Sequence, residues 1–233
     1  MSKTVVITGA NRGLGFELAR AYGSRGDKVI AGCRTPATAT DLLAVTPHVH
    51  ALDVGDEPSI NAFVAAFGDR TVDIVINNAG IDARNLGVAD GDRDVLTQSG
   101  DHVLGQIRVN AVGPMLLARG LLANLRRSGS PRIVNMSSQV GSMVIGAGMG
   151  RDVGYAVSKA ALNMITVKLA ARLKDDGIIA VALHPGYLRT EMGGATAPLG
   201  PDESAASIIA LVDGLTIEDS GSFKRWDGTP HPW

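Results

Sequence analysis

Thr4–Thr8 is a short run of β-branched and apolar residues that leads through Gly9, Gly13 and Gly15 into a stretch with helical periodicity. That junction constrains the chain more than any other feature. The run has no polar alternation, which suits a strand covered on both faces. In residues 13–25, Leu14, Leu18, Ala21 and Tyr22 recur at helical spacing. The same alternation then repeats. Strands are expected at 28–31, 48–52, 72–76, Arg132–Met136, 178–183 and near 221–223, and helices at Glu57–Phe67, about 100–127, 154–175 and 202–214. Strands alternating with helices predict an α/β fold, a Rossmann-type doubly wound parallel sheet of about seven strands with helices on both faces. No linker divides the 233 residues, so residues 1–233 read as a single domain. Three irregular segments, 81–99, 139–154 and 186–200, are expected to form loops around a site.

Composition removes several classes of function. Apolar residues make up 45% of the chain, which excludes a disordered polymer. Aromatics at 4% argue against a base-stacking or carbohydrate platform. With 22 basic and 23 acidic residues the formal charge is −1, without the basic excess of a nucleic-acid binder. Cys33 is the one cysteine, so no internal disulfide and no multi-cysteine metal site can form. The opening MSKTVVITGA lacks the apolar stretch of a signal peptide, and no run is long enough to span a bilayer. A cytoplasmic protein with no membrane partner is expected.

Thr8-Gly9-Ala10-Asn11-Arg12-Gly13-Leu14-Gly15 sits where a strand opens a helix. There the free N–H groups and the helix dipole attract phosphate, and glycine lets the backbone come close. The spacing is neither that of the P-loop nor G-x-G-x-x-G, yet the position after the first strand points to a dinucleotide. An NAD site carries an acid at the end of the second strand. Here that stretch reads Ala31-Gly32-Cys33-Arg34-Thr35. Arg34 in place of the acid, with Arg12 in the loop, suits a 2′-phosphate, so NADP(H) is favoured over NAD(H).

Tyr155 and Lys159 are four apart on a predicted helix and share a face. A neighbouring ammonium favours the phenolate and draws a tyrosine toward proton exchange near neutral pH. His48 and His50 share a strand face without clustered cysteine or acid partners, so packing is expected of them and no metal site.

In combination these elements resemble the short-chain dehydrogenase/reductase family over nearly the whole chain. The resemblance rests on Gly9…Gly13-x-Gly15, Asp53-Val54, Asn77-Asn78-Ala79-Gly80, Asn110, Asn135-Met136-Ser137-Ser138, Tyr155-x-x-Ser158-Lys159 and Pro185-Gly186-Tyr187-Leu188-Arg189-Thr190. It implies that Tyr155 is the acid/base and that Lys159 lowers its pKa and binds the nicotinamide ribose. Ser138 would orient the substrate oxygen, and Asn110 would hold a water linking Lys159 to solvent. The resemblance also implies that Asp53 and Val54 contact adenine and that Asn78, Ala79 and Gly80 line the cofactor. Pro185, Gly186, the Leu188 backbone and the Thr190 hydroxyl would fix the carboxamide. Ser138 lies further before Tyr155 than is common in the family, and Ser142 falls at the common interval. The strand-to-Ser-Ser junction favours Ser138.

The end Phe223-x-x-Trp226-Asp227-Gly228-x-x-x-Pro232-Trp233 is similar to that of C-factor and sniffer-type carbonyl reductases. The implied function is a carbonyl reductase or alcohol dehydrogenase acting on a small carbonyl or alcohol substrate, as a homodimer or homotetramer. A cofactor-binding signalling protein of the same fold is the alternative.

Overall fold

A computed structural model describes residues 2–233. Seven strands form one parallel sheet: β1 (Thr4–Thr8), β2 (Lys28–Cys33), β3 (Val49–Ala51), β4 (Ile74–Asn77), β5 (Arg132–Met136), β6 (Ile179–His184) and β7 (Phe223–Arg225). Their order is β3-β2-β1-β4-β5-β6-β7. Val5 pairs with Val29 on one side and Ile74 on the other, which fixes the register at the centre.

Successive strand residues serve opposite layers, as the pleat requires. Val5 and Ile7 face a core shared with Leu18 and Tyr22 of α1 (Gly13–Ser24) and Ile208 and Val212 of α8 (Pro201–Gly214). Val6 faces the other core, with Ile60 and Phe63 of α3 (Glu57–Phe67) and Leu117 of α5 (Gly113–Gly120). Covering both faces explains why the strands read as unbroken apolar runs. Asp56 caps α3 by accepting from the Ser59 N–H at 3.0 Å.

Two features differ from the expectation. A six-residue helix, α2 (Thr40–Val45), follows β2; it is too short to show a periodic signal. The expected helix over 100–127 is broken into α4 (Gly100–Ile107), a π-helical turn (Arg108–Val112), α5 and α6 (Leu122–Leu125). Pro114 explains the break. It lacks the N–H that would bond the Asn110 carbonyl in an α-helix. The seventh helix, α7 (Val153–Leu173), packs beside α4.

The chain order reverses between β1 and β4, which leaves a crevice at the carboxyl ends of these strands. The glycine-rich loop leaves β1 there, and Asn77-Asn78-Ala79-Gly80 leaves β4 beside it.

Candidate active site

The glycine-rich loop and the segment after β4 are fastened to each other by Thr8. Its buried Oγ1 accepts from the N–H groups of Asn78 and Ala79, both at 3.0 Å. Asn78 returns the contact, donating from Nδ2 to the carbonyls of Thr8 (3.0 Å) and Gly9 (3.2 Å). At Gly9, with φ +63°, a Cβ would stand 2.9 Å from Ala79 Cα. At Gly15 a Cβ would collide with the Gly9 carbonyl and Asn78 Nδ2. Glycine is therefore required at both. No side chain caps the first turn of α1, so its leading N–H groups keep no intrahelical partner. Gly13, Leu14 and Gly15 thus form a cradle with the donor chemistry and the clearance that a dinucleotide phosphate needs.

Arg34 is exposed at the end of β2 and forms no ion pair among the described residues. Arg12 is exposed as well, but its Nη1 lies 2.5 Å from Glu191 Oε2, on the loop after β6. Asp53 is exposed beyond β3, and its carboxylate accepts from the Gly55 N–H at 2.8 Å. Neighbouring Val54 is buried, with its carbonyl against Gly113 at the start of α5.

A second group gathers where β5 meets α7. Lys159 is buried and its Nζ donates to the Met136 carbonyl at 2.7 Å. The same Nζ lies 5.5 Å from the centroid of the Tyr155 ring and next to Gly80. The two side chains predicted to work together are thus neighbours. Burial pushes the Lys159 ammonium down to about 8. Burial also pushes the Tyr155 phenol up to about 12, opposed by a hydrogen bond with Ser138 and reinforced by the Asp82 carboxylate. The expected lowering of Tyr155 by the Lys159 ammonium is not among the influences on the phenol; desolvation dominates and only Ser138 opposes it. Gly141 permits this close packing, since a Cβ there would stand 2.8 Å from the Lys159 backbone.

The two serines of the β5 junction have separate places. Ser137 is buried and donates to Asn163 Oδ1 at 2.6 Å. Ser138 is half-buried beside Tyr155. Ser142 is committed elsewhere: its Oγ donates to the Trp233 carbonyl at 3.0 Å and accepts from the Ile145 N–H at 3.2 Å. Of the two, Ser138 is the one beside Tyr155, while the Ser142 hydroxyl is taken up by the Trp233 carbonyl.

Asn110 occupies the π-turn. Its Nδ2 donates to the Ile81 carbonyl (2.8 Å) and Ser158 Oγ (2.9 Å), and its Oδ1 accepts from the Ile81 N–H (2.8 Å). The side chain thus ties the start of the 81–99 loop to α7, and its backbone carbonyl is the group that Pro114 leaves without an α-helical donor.

Three loops lie around this group of residues. Residues 81–99 and 139–154 are fastened together by Arg151–Asp90 (2.8 Å) and by the Val95 N–H on the Gly150 carbonyl (3.2 Å). Gln98 Oε1 accepts from the Gly154 N–H at 2.9 Å, just before Tyr155. The third loop leaves Pro185, whose carbonyl accepts from Ser204 Oγ at 2.6 Å, and turns at Gly186 with φ +96°. It closes on itself where Arg189 donates its N–H to the Leu199 carbonyl at 2.9 Å, with Leu188 buried between. Thr190 follows; its methyl lies where a Cβ on Gly13 would come within 3.3 Å. The loop thus rests directly on the glycine cradle.

Sequence reasoning missed Thr8, Asp82 and Glu191. Thr8 carries a signal, a polar residue ending an apolar strand before glycine; the other two reach the site only through folding.

A family model described as short chain dehydrogenase matches residues 3–198. C-signal of Myxococcus xanthus is 34% identical over 174 residues, covering 75% of this chain and all of that protein. The solved carbonyl reductase Sniffer of D. melanogaster superposes with a TM-score of 0.89 at 30% identity, over the full length of both chains. An NADPH-bound carbonyl reductase from chicken fatty liver gives a TM-score of 0.88 at 28% identity, covering 100% of this chain and 99% of the other. With the glycine cradle, the adjacent Tyr155 and Lys159 and the seven-stranded sheet, these matches show that the chain belongs to the short-chain dehydrogenase/reductase family of oxidoreductases.

Proposed function

We propose that the chain is an NADP(H)-dependent carbonyl reductase or alcohol dehydrogenase acting on a ketone, an aldehyde or a secondary alcohol. The observation that carries this reading is that Tyr155 lies against both Ser138 and Lys159, with Lys159 Nζ next to Gly80 of the segment that Thr8 fastens to the glycine loop. When bound, the nicotinamide cofactor supplies or accepts the hydride. The chain's own residues do the rest. Gly9, Asn11, Gly13, Leu14 and Gly15 hold the diphosphate, with Asp53 and Val54 at the adenine and Asn78, Ala79 and Gly80 alongside. Pro185, Gly186, the Leu188 backbone and Thr190 fix the carboxamide. Tyr155 is a phenol at neutral pH, its pKa pushed up to about 12, and so holds the proton that a reduced carbonyl oxygen must receive. Ser138 donates to that oxygen and orients it. Lys159 brings a positive charge that stabilises the phenolate left behind, and the Asn110 carbonyl positions a water for reprotonation.

Arg12 and Arg34 are the groups suited to a 2′-phosphate, and the NADPH-bound relative supports the choice. Titration with NADPH and NADH tests it. NADPH should bind more tightly, and Arg34→Asp should reverse or erase the difference. An unchanged preference removes this reading of the cofactor.

The likeness to C-signal favours a second reading, a dinucleotide-binding signalling protein. Turnover separates the two: a panel of aldehydes, ketones and quinones should oxidise NADPH, and cofactor binding without turnover would favour signalling. A homodimer or homotetramer belongs to the same proposal. The adjacent helices α4 and α7 leave Leu104, Val157 and Met164 exposed, and light scattering should give a mass above 24.1 kDa. The buried free thiol of Cys33 suits a reducing cytoplasmic setting.

A further inference from the structure

We propose that Glu191 is a specificity-determining residue that competes with the dinucleotide's 2′-phosphate for Arg12, and so limits how strongly the protein prefers NADP(H). The inference rests on the assignment of Arg12 to that phosphate.

Arg12 and Glu191 are 179 positions apart and meet across the crevice, Nη1 to Oε2, at 2.5 Å. Arg12 is the residue just before α1, in extended conformation, and its side chain caps nothing. Its guanidinium has no other ion-pair partner among the described residues. The carboxylate is presented by a constrained segment. The N–H of Gly194 donates to the Thr190 carbonyl at 2.8 Å, and the N–H of Gly193 donates to Thr190 Oγ1 at 3.2 Å. Arg84 Nη2 donates to the carbonyl of the next residue, Met192, at 2.5 Å, and is itself paired with Asp82. The backbone that carries Glu191 is therefore held on both sides, while the two paired side chains stay largely exposed, so the pair is a weak one that a phosphate can displace.

A guanidinium presents a limited fork of donors. A phosphate can take Arg12 only by displacing or sharing with the carboxylate, and the carboxylate repels the phosphate as a like charge. Both effects act on a ligand that carries the 2′-phosphate and spare one that carries a hydroxyl there. Glu191 acts through Arg12, as a positioning residue.

The test is the dissociation constant of the full chain for NADPH and for NADH, by fluorescence titration, in the wild type, Glu191→Gln, Arg12→Ala and the double variant. Freeing Arg12 from an exposed pair should tighten NADPH about two- to fivefold in Glu191→Gln. NADH should stay unchanged, and Glu191→Gln should have no effect in the Arg12→Ala background. Three results overturn the proposal: no change for NADPH, an equal change for both cofactors, or the same tightening without Arg12. Loss of NADPH preference in Arg12→Ala, with no response to Glu191→Gln, overturns the role of Glu191 alone. An NADPH preference undiminished in Arg12→Ala, beyond what Arg34 alone would keep, overturns the assignment of Arg12 beneath it.

Discussion

Thr8→Val tests how the cofactor cradle is held together. Valine matches threonine in shape and keeps the β-branch, so the strand end and its packing are preserved while the acceptor is lost. Asn78 keeps one partner, because its N–H also reaches the Ile76 carbonyl at 3.0 Å. The Ala79 N–H loses its acceptor, the Thr8 oxygen at 3.0 Å. One partly buried donor left unsatisfied costs about 1–3 kcal/mol. For a domain of this size that lowers Tm by about 2–12 °C. Thr8→Ser is the control. It keeps the oxygen and removes one methyl, which costs about 1 kcal/mol. Thermal unfolding gives the stability term, and NADPH titration reads the geometry of the cradle. Thr8→Val should be less stable than Thr8→Ser and bind NADPH more weakly, because the Asn78–Ala79 backbone loses its side-chain anchor at the end of β1. A Thr8→Val protein within about 0.5 kcal/mol of wild type with unaltered NADPH binding refutes the reasoning.

The remaining predictions concern protons and the serines. Lys159 carries its charge below about 8 and loses it above, so kcat/KM for carbonyl reduction should fall as pH rises through that value; a profile flat to pH 10 contradicts its role. Ser138→Ala should lose turnover while keeping NADPH binding, whereas Ser142→Ala should keep turnover and lose about 1 kcal/mol of stability with its bond to the Trp233 carbonyl; the reverse pattern would reassign the serine. His184 is buried, stacks on His231 at 5.4 Å, and is held down to about 4 by burial first and by the His231 charge second. The unfolded chain therefore binds the extra proton between pH 6.5 and 4, and stability should fall over that window as pH drops. The loss reaches about 3 kcal/mol. Urea titrations at pH 7 and pH 4.5 check it, and His184→Gln should flatten the dependence.

Much of the fold was legible because the inner strands β1, β2, β4, β5 and β6 are buried on both faces. Thr4–Thr8 and Arg132–Met136 could be bounded to the residue, since apolar runs ended at glycine or serine. The break at Arg108–Val112 was also written in the chain: Pro114 lies inside a helical pattern, and its missing N–H acts four residues back. Thr40–Val45 was not legible, because six residues cannot display a period of 3.6.

The site divides in the same way. Tyr155 and Lys159 share a helix face, so their spacing placed them together. The direction of the Tyr155 shift was hidden, since it depends on how far the surrounding loops exclude water. That the Ser142 hydroxyl is taken up by the Trp233 carbonyl, 91 positions away, was hidden as well. The partner of Arg12 depends on where the loop after β6 comes to rest, a tertiary fact that no local pattern encodes.

The measurement that bears most directly on the function is transfer of deuterium from C4 of deuterated NADPH to a carbonyl substrate, with wild type and Tyr155→Phe side by side. The wild type should place deuterium on the carbinol carbon of the product. Tyr155→Phe should bind NADPH with unchanged affinity and transfer none. NADPH binding by the wild type without transfer to any carbonyl, or full transfer by Tyr155→Phe, would contradict the account.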